Sequence, residues 1–315
     1  MAISFVGQAV VITGAGGGLG STYAKEIARR GGMVVVNDLG GPTSGGDGEA
    51  LASYADAVVE DIRAAGGQAI ANYDTVATAE GGQAIVDAAL SAFGRIDAVI
   101  ANAGTMRYGE FEKLSLADLH SLLSVHIGGT WSVAQAAWPH FRAQRYGRLV
   151  CTASSTGMFG AAGLAAYAAA KGGVMGLMHA LANAGAQHGI LANAVMPNAM
   201  TRMTSSMNPE DVGGRPNPWA GAMPQFFDPG YTTGLATYLA SSACQSTHGL
   251  YSACMGRIGR AFIGVTDGVI DDERPTVDQI AERWARINDA APGFAVPEEV
   301  SEEWRHVAEL RGLKV

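Results

Sequence analysis

The feature that most constrains this chain is an alternation. Short, almost wholly apolar runs are followed by longer alanine-rich stretches of helical character. The runs are QAVVIT (8–13), MVVVN (33–37), QAIANY (68–73), DAVIAN (97–102), GRLVCTA (147–153) and ILANAVM (190–196). A run that is apolar on both faces belongs to a strand covered on both sides, the environment of a parallel sheet. Helical stretches fall between the runs, near 19–30, 49–65, 78–93, 115–145 and 163–188. Ser115 is suited to cap the fourth of these, and Pro139 is expected to kink or end it. The expected fold is therefore α/β: a Rossmann-type doubly wound parallel sheet with right-handed crossovers.

No repeat and no charged linker interrupts the pattern, so residues 1–269 are expected to form a single domain. Two stretches depart from it. Residues 199–230 are rich in Met, Pro and Gly and too long for an ordinary connection, which marks a substrate loop. Residues 270–315 are rich in charge, have a helical pattern near 276–290, and form a C-terminal extension. The chain is 48% hydrophobic and 16% charged, enough to build a sizeable core. A net charge of −8 argues against a nucleic-acid surface. Cys151, Cys244 and Cys254 are odd in number and lack metal spacing, so they read as reduced thiols, with no metal site. The N-terminus reads as a first strand and not as a signal peptide, and no apolar run is long enough for a membrane span. The ending RGLKV is not a peroxisomal address, and the expected location is cytoplasmic.

The first strand runs into TGAGGGLG (13–20). The common G-x-G-x-x-G spacing fails, because Leu19 stands where its third glycine would be. Gly14, Gly18 and Gly20 instead give G-x-x-x-G-x-G, with Gly16 and Gly17 filling the loop. At a strand-to-helix turn, backbone N–H groups and the helix dipole suit a pyrophosphate. The alternative is a tight turn without ligand. Asp38 ends the second strand, where a carboxylate accepts from ribose hydroxyls and repels a 2′-phosphate, favouring NAD over NADP. YAAAK (167–171) sets Tyr167 and Lys171 four apart, on one helical face. An ammonium beside a phenol lowers the phenol pKa from about 10, making an acid or base usable near neutrality. Ser154 follows the fifth strand, and its hydroxyl can bind a substrate oxygen. Motif residues thus stand at the carboxyl ends of several strands, where ligands bind in such sheets.

Together, TGAGGGLG, ANAG (101–104), Ser154, YAAAK and PNAMT (197–201) resemble the short-chain dehydrogenase/reductase family, over residues 7 to about 205. The resemblance implies Tyr167 as general acid/base, Lys171 on the nicotinamide ribose and Ser154 on the substrate oxygen. It implies NAD held by Gly14, Gly18, Leu19, Gly20, Asp38, Asp74, Thr75, Asn102, Ala103 and Gly104, with Pro197, Ala199 and Thr201 at the nicotinamide end.

A narrower likeness is carried by VVVNDLGGP, ANYD (71–74), AFGRID (92–97), YGRLV (146–150), PNAMTRMT (197–204) and GRIGRAFIGV (256–265). These resemble the subgroup of (3R)-hydroxyacyl-CoA dehydrogenases that includes a domain of multifunctional enzyme type 2, also called 17β-hydroxysteroid dehydrogenase type 4. Much of the wider family has an asparagine in the fourth helix where this chain and that subgroup have His126. An imidazole there can hold a relay water as a carboxamide does. The implied reaction is NAD-dependent oxidation of a secondary alcohol, on a fatty or steroid side-chain CoA thioester or a free steroid. A silent NAD-binding scaffold is the non-enzymatic alternative. Met200, Met203, Met207, Trp219, Met223, Phe226 and Phe227 suit a bulky apolar ligand or the packing of the loop itself, and Arg107 and Arg202 are candidate cations for CoA phosphates. The family implies a homodimer or homotetramer paired through the long helices.

Overall fold

The computed structural model describes residues 2–41, 53–199 and 224–313. The chain divides into two compact units, Met1–Arg260 and Ala261–Val315.

The first unit is built on strands β1 (Ala9–Thr13), β2 (Met33–Asn37), β3 (Gln68–Asn72), β4 (Ala98–Ala101), β5 (Gly147–Thr152), β6 (Ile190–Pro197), β7 (Leu250–Cys254) and β8 (Arg257–Ala261). Their order is β3-β2-β1-β4-β5-β6-β7-β8. β1 to β7 pair in parallel, with Val10 between Val34 and Ala98 in register. Every residue of β1, β4 and β5 is buried, including Arg148 of β5, whose guanidinium donates to the carbonyls of Gly147, Ser241 and Cys244.

Helices α1 (Gly18–Arg29), α2 (Ser53–Ala64), α3 (Ala79–Phe93), α4 (Leu116–Leu123), α5 (Gly129–Gln144), α6 (Ser155–Phe159), α7 (Ala165–Gly185) and α8 (Gly230–Ala240) connect the strands. Tyr23, Ala24 and Ile27 of α1 share a core cluster with Val58, Val59 and Ile62 of α2 and with Leu235 and Leu239 of α8. α3 meets α5 where a Cβ on Gly82 would come within 2.7 Å of Ser132. Connection direction reverses between β1 and β4, which opens a crevice beyond their carboxyl ends.

Two local expectations had distinct outcomes. Ser115 caps α4 in a full capping box with Asp118. Pro139 does not end the long helix, because α5 runs through it to Gln144. The irregularity lies upstream instead, in a π-helical turn at Ser124–Gly128. Strands β7 and β8 and helices α6 and α8 were not expected from the sequence.

The second unit contains an antiparallel pair, β9 (Val265–Thr266) with β10 (Phe294–Ala295), and helices α9 (Val277–Glu282), α10 (Trp284–Ile287) and α11 (Val300–Leu310). The helical pattern expected near 276–290 takes the form of two short helices, α9 and α10. Arg283 pairs with Asp271, His306 with Asp267 at 3.0 Å, and Phe262 stacks on Phe294. Among the described residues no helix is long and apolar enough to cross a membrane, and no three His, Cys, Asp or Glu side chains group as metal ligands.

Candidate active site

The carboxyl ends of the parallel strands border a cleft of about 330 Å³. From the β3–β2 side toward β5 and β6, its lining runs from Asp74, Thr75 and Asp38, past Gly14, Gly18 and Leu19, to Asn102–Met106, then Ser154, Tyr167, Lys171 and His126, with Pro197 and Ala199. The expected site residues are thus gathered in one cleft, with two exceptions. Gly20 is buried off the lining, where a Cβ would come 2.4 Å from the Gly14 carbonyl oxygen. That position packs the turn closely. Thr201, with Arg202 and most of the expected substrate loop, lies outside the described residues. Of that loop's aromatic residues, Phe227 is buried and Phe226 sits 5.9 Å from the Tyr231 ring. Arg107 faces an acidic neighbour, Asp118, at 3.6 Å.

The glycine turn is bolted to the fourth strand end. Thr13 Oγ1 accepts from the backbone N–H groups of both Asn102 and Ala103 at 3.0 Å. Asn102 Nδ2 donates to the carbonyls of Thr13 and Gly14. Gly14 has φ +63°, and a Cβ there would fall 2.8 Å from Ala103 Cα. Only glycine meets both demands. Gly17 caps α1, whose first turn carries no acidic side chain, so its free N–H groups suit an anion. Gly16 is not the loop filler the sequence suggested. Its N–H donates to Asp38 Oδ2 at 2.8 Å, and a Cβ would collide with that carboxylate.

The β2 and β3 ends share a polar network. Asn37 Nδ2 donates to Asn72 Oδ1 and to the Asp74 carbonyl, and Asn72 Nδ2 donates to Asp74 Oδ2. Asn37 and Thr13 were not singled out in the sequence. Both end buried strands, and a buried polar residue in that position was the signal available.

At the other side, Ser154 caps α6 by accepting from Thr156 N–H at 3.1 Å, and its side chain is hydrogen-bonded to Tyr167. Lys171 Nζ donates to the Thr152 carbonyl at 2.6 Å and stands 5.8 Å from the Tyr167 ring centre. The spacing argument had Lys171 lowering the Tyr167 pKa. Burial overrides it here: the Tyr167 phenol is pushed up to about 12, against the smaller lowering effect of Ser154, and Lys171 is pushed down to about 7. Both are almost fully buried, so neither charged form is well solvated.

His126 sits inside the π-helical turn, a geometry frequent at functional sites. Its Nε2 lies 2.8 Å from the Thr105 carbonyl and 3.4 Å from the Thr105 N–H; the shorter contact favours the proton on Nε2, and Nδ1 is buried with no partner. Burial, then the Lys171 charge, push its pKa down to about 3. The ring is therefore neutral across the physiological range, and it meets the Tyr167 ring edge-on at 5.4 Å. Burial thus disfavours the protonated imidazole and favours the neutral ring.

Comparison with known proteins agrees with this geometry. The family model for short chain dehydrogenase matches residues 8–211. A short-chain type dehydrogenase/reductase of Mycobacterium tuberculosis is 43% identical over 283 residues, covering 90% of this chain and 94% of the relative. Peroxisomal multifunctional enzyme type 2 of Mus musculus is 38% identical over 312 residues. That match takes in 98% of this chain but only 40% of the mouse protein. A hydroxyacyl-CoA dehydrogenase of M. tuberculosis, ChsB1, is 32% identical over 254 residues, or 77% of this chain and 75% of the relative. A chain with this match and with these side chains gathered at its strand ends belongs to the short-chain dehydrogenase family of oxidoreductases.

Proposed function

We propose that the chain is an NAD-dependent dehydrogenase that oxidises the 3-hydroxyl of a 3-hydroxyacyl-CoA to the ketone. The observation that carries this reading is one cleft with an acidic ribose-binding corner at Asp38 and a Ser154–Tyr167–Lys171 cluster across from it. The residues present fit a dinucleotide. Gly14 leaves room for close approach, Gly17 and Gly18 offer backbone N–H groups at the start of α1, and Asp38 is an acceptor of the right charge. Thr105 and His126 line the same cleft, and each carries a buried polar atom without a hydrogen-bond partner, Oγ1 and Nδ1.

When bound, NAD supplies the acceptor for the carbon-bound hydrogen. Tyr167 Oη takes the hydroxyl proton in oxidation and returns it in reduction. Its raised pKa makes the protonated phenol the resting form, so reduction begins from a ready acid. Oxidation draws on a phenolate whose population rises tenfold per pH unit. Ser154 holds the substrate oxygen with its hydroxyl, and Lys171 lends positive charge when protonated. His126 accepts a hydrogen bond at Nδ1 without changing protonation state.

The thioester part of the reading rests on the hydroxyacyl-CoA relative. It is tested by incubating the full chain and NAD with a 3-hydroxyacyl-CoA, its steroid side-chain thioester analogue and a free 17β-hydroxysteroid, following reduced nicotinamide by absorbance. Preferred turnover of a thioester, lost in Tyr167→Phe, is expected. Turnover of the free steroid alone would overturn the thioester assignment. NAD binding without turnover of any alcohol would identify a silent scaffold.

A further inference from the structure

Asp38 is held more tightly than its role as a ribose acceptor demands. Gly16 N–H donates to Oδ2 and Gly40 N–H to Oδ1, both at 2.8 Å. The two oxygens are thus fixed from neighbouring strand ends, one by the glycine turn after β1 and one by the chain after β2. A carboxylate has about four acceptor positions, so this clamp leaves capacity on both oxygens for ribose hydroxyls. It also removes the freedom to rotate the charge aside.

The clamp depends on Gly16 having no side chain. A Cβ there would stand 2.7 Å from Asp38 Oδ2, 2.8 Å from its Cγ and 2.8 Å from Tyr54 Cβ. Gly16 is not at a positive φ, so an alanine brings no backbone strain and acts through those contacts alone. Its backbone N–H would survive the change, but the carboxylate could no longer lie against it.

We propose that Gly16 is a specificity-determining position for the nucleotide, acting through Asp38: it locks the carboxylate where a 2′-phosphate would have to sit. Rejection of NADP then depends on immobilising the charge, and not only on having it. A mobile carboxylate in a solvated corner can turn away from a phosphate, whereas a clamped one confronts it at fixed distance. The inference rests on the NAD reading above.

The test measures dissociation constants for NAD and NADP by calorimetry on the full chain, which needs no turnover. The forms compared are native protein, Gly16→Ala, Asp38→Ala and the double variant. The native protein is expected to favour NAD. Gly16→Ala is expected to shrink the NADP-to-NAD ratio of dissociation constants by about tenfold, the equivalent of one charge-assisted contact. In the Asp38→Ala background the same glycine change is expected to leave the ratio where it was, because the pair acts as a unit.

Asp38→Glu gives a second, independent arm that leaves Gly16 untouched. It keeps the charge on a longer arm that cannot occupy both clamps, and its discrimination is expected to fall. Native protein that prefers NADP would overturn both the NAD reading and this inference. Native protein that prefers NAD would leave that reading standing. The inference alone would then be overturned by an unchanged ratio in Gly16→Ala, by an equal shift with Asp38 absent, or by undiminished discrimination in Asp38→Glu.

Discussion

Replacing Thr13 with valine is a sharp test of how the glycine turn is held. Thr13 is 2% exposed, and its Oγ1 accepts two backbone N–H groups, from Asn102 and Ala103, each at 3.0 Å. Valine keeps the β-branched shape and the strand propensity, so the loss is confined to one acceptor. Leaving a fully buried donor without its partner costs about 1–3 kcal/mol; the Asn102 and Ala103 N–H groups are half-buried beside the cleft, so the two together cost somewhat less than twice that, about 2–5 kcal/mol. Against a typical stability of about 5–15 kcal/mol this is a large fraction. For a unit of this size it corresponds to a melting temperature lowered by about 5–15 °C.

Urea denaturation followed by circular dichroism, with a thermal melt alongside, measures the effect. Thr13→Ser is the control: it retains the oxygen and gives up one methyl, so it should cost about 1 kcal/mol. NAD affinity should fall with Thr13→Val, because Asn102–Gly104 borders the cleft and loses two of its four hydrogen bonds to Thr13 and Gly14. A Thr13→Val protein within about 0.5 kcal/mol of the native one would refute the account, since it would mean that Asn102 and Ala103 find other acceptors at no cost.

Three further outcomes follow from the buried titratable groups and from the turn. In the protein without added nucleotide, difference absorbance between native and Tyr167→Phe should show no phenolate below pH 10, because burial pushes Tyr167 up to about 12; a titration near pH 8 would contradict this. Lys171 is pushed down to about 7 from its ordinary 10.5, so the unfolded chain binds the extra proton between those values. Stability should therefore rise from pH 7 toward 10, at up to about 1.4 kcal/mol per unit from this group, and Lys171→Met should flatten that slope in denaturation measured across pH. Gly104→Ala would put a Cβ 2.5 Å from His126 Cε1, so the imidazole must leave its Thr105 contact. Its turnover should drop at least tenfold with NAD affinity less affected, as read from steady-state kinetics and calorimetry, and equal losses in both would refute the assignment of His126 to the substrate side.

Much of the fold was legible because the apolar runs are unusually complete. A strand such as AVVIT can be stable only when both faces are covered, and that requirement alone leads to a parallel sheet with helices on either side. The strands missed are the opposite kind. YSAC and RIGRA mix polar and apolar residues without clear period, and they become strands because β6 offers an edge to β7 and β7 in turn offers one to β8. Helix α8, GYTTGLATYLA, is poor in strong helix formers and is held by packing its Leu235 and Leu239 against α1 and the sheet.

The candidate site divides in the same way. By themselves, the residues determined the chemistry available: a glycine turn for a phosphate, a carboxylate for a ribose, and a serine, tyrosine and lysine for an alcohol. Spacing along one helix was enough to put Tyr167 near Lys171. What spacing could not supply was the environment. The sequence argued for a lowered phenol pKa from the neighbouring ammonium, and the tertiary structure reversed the sign by burying both groups. It likewise turned Gly16 from filler into the seat of Asp38, and made the Thr13 hydroxyl a bolt between two strand ends 89 residues apart. The identity of a functional group is fixed by the covalent chain, but its ionisation and its partners depend on solvent exclusion and on which distant backbone faces it, and these exist only once the sheet has closed around the cleft.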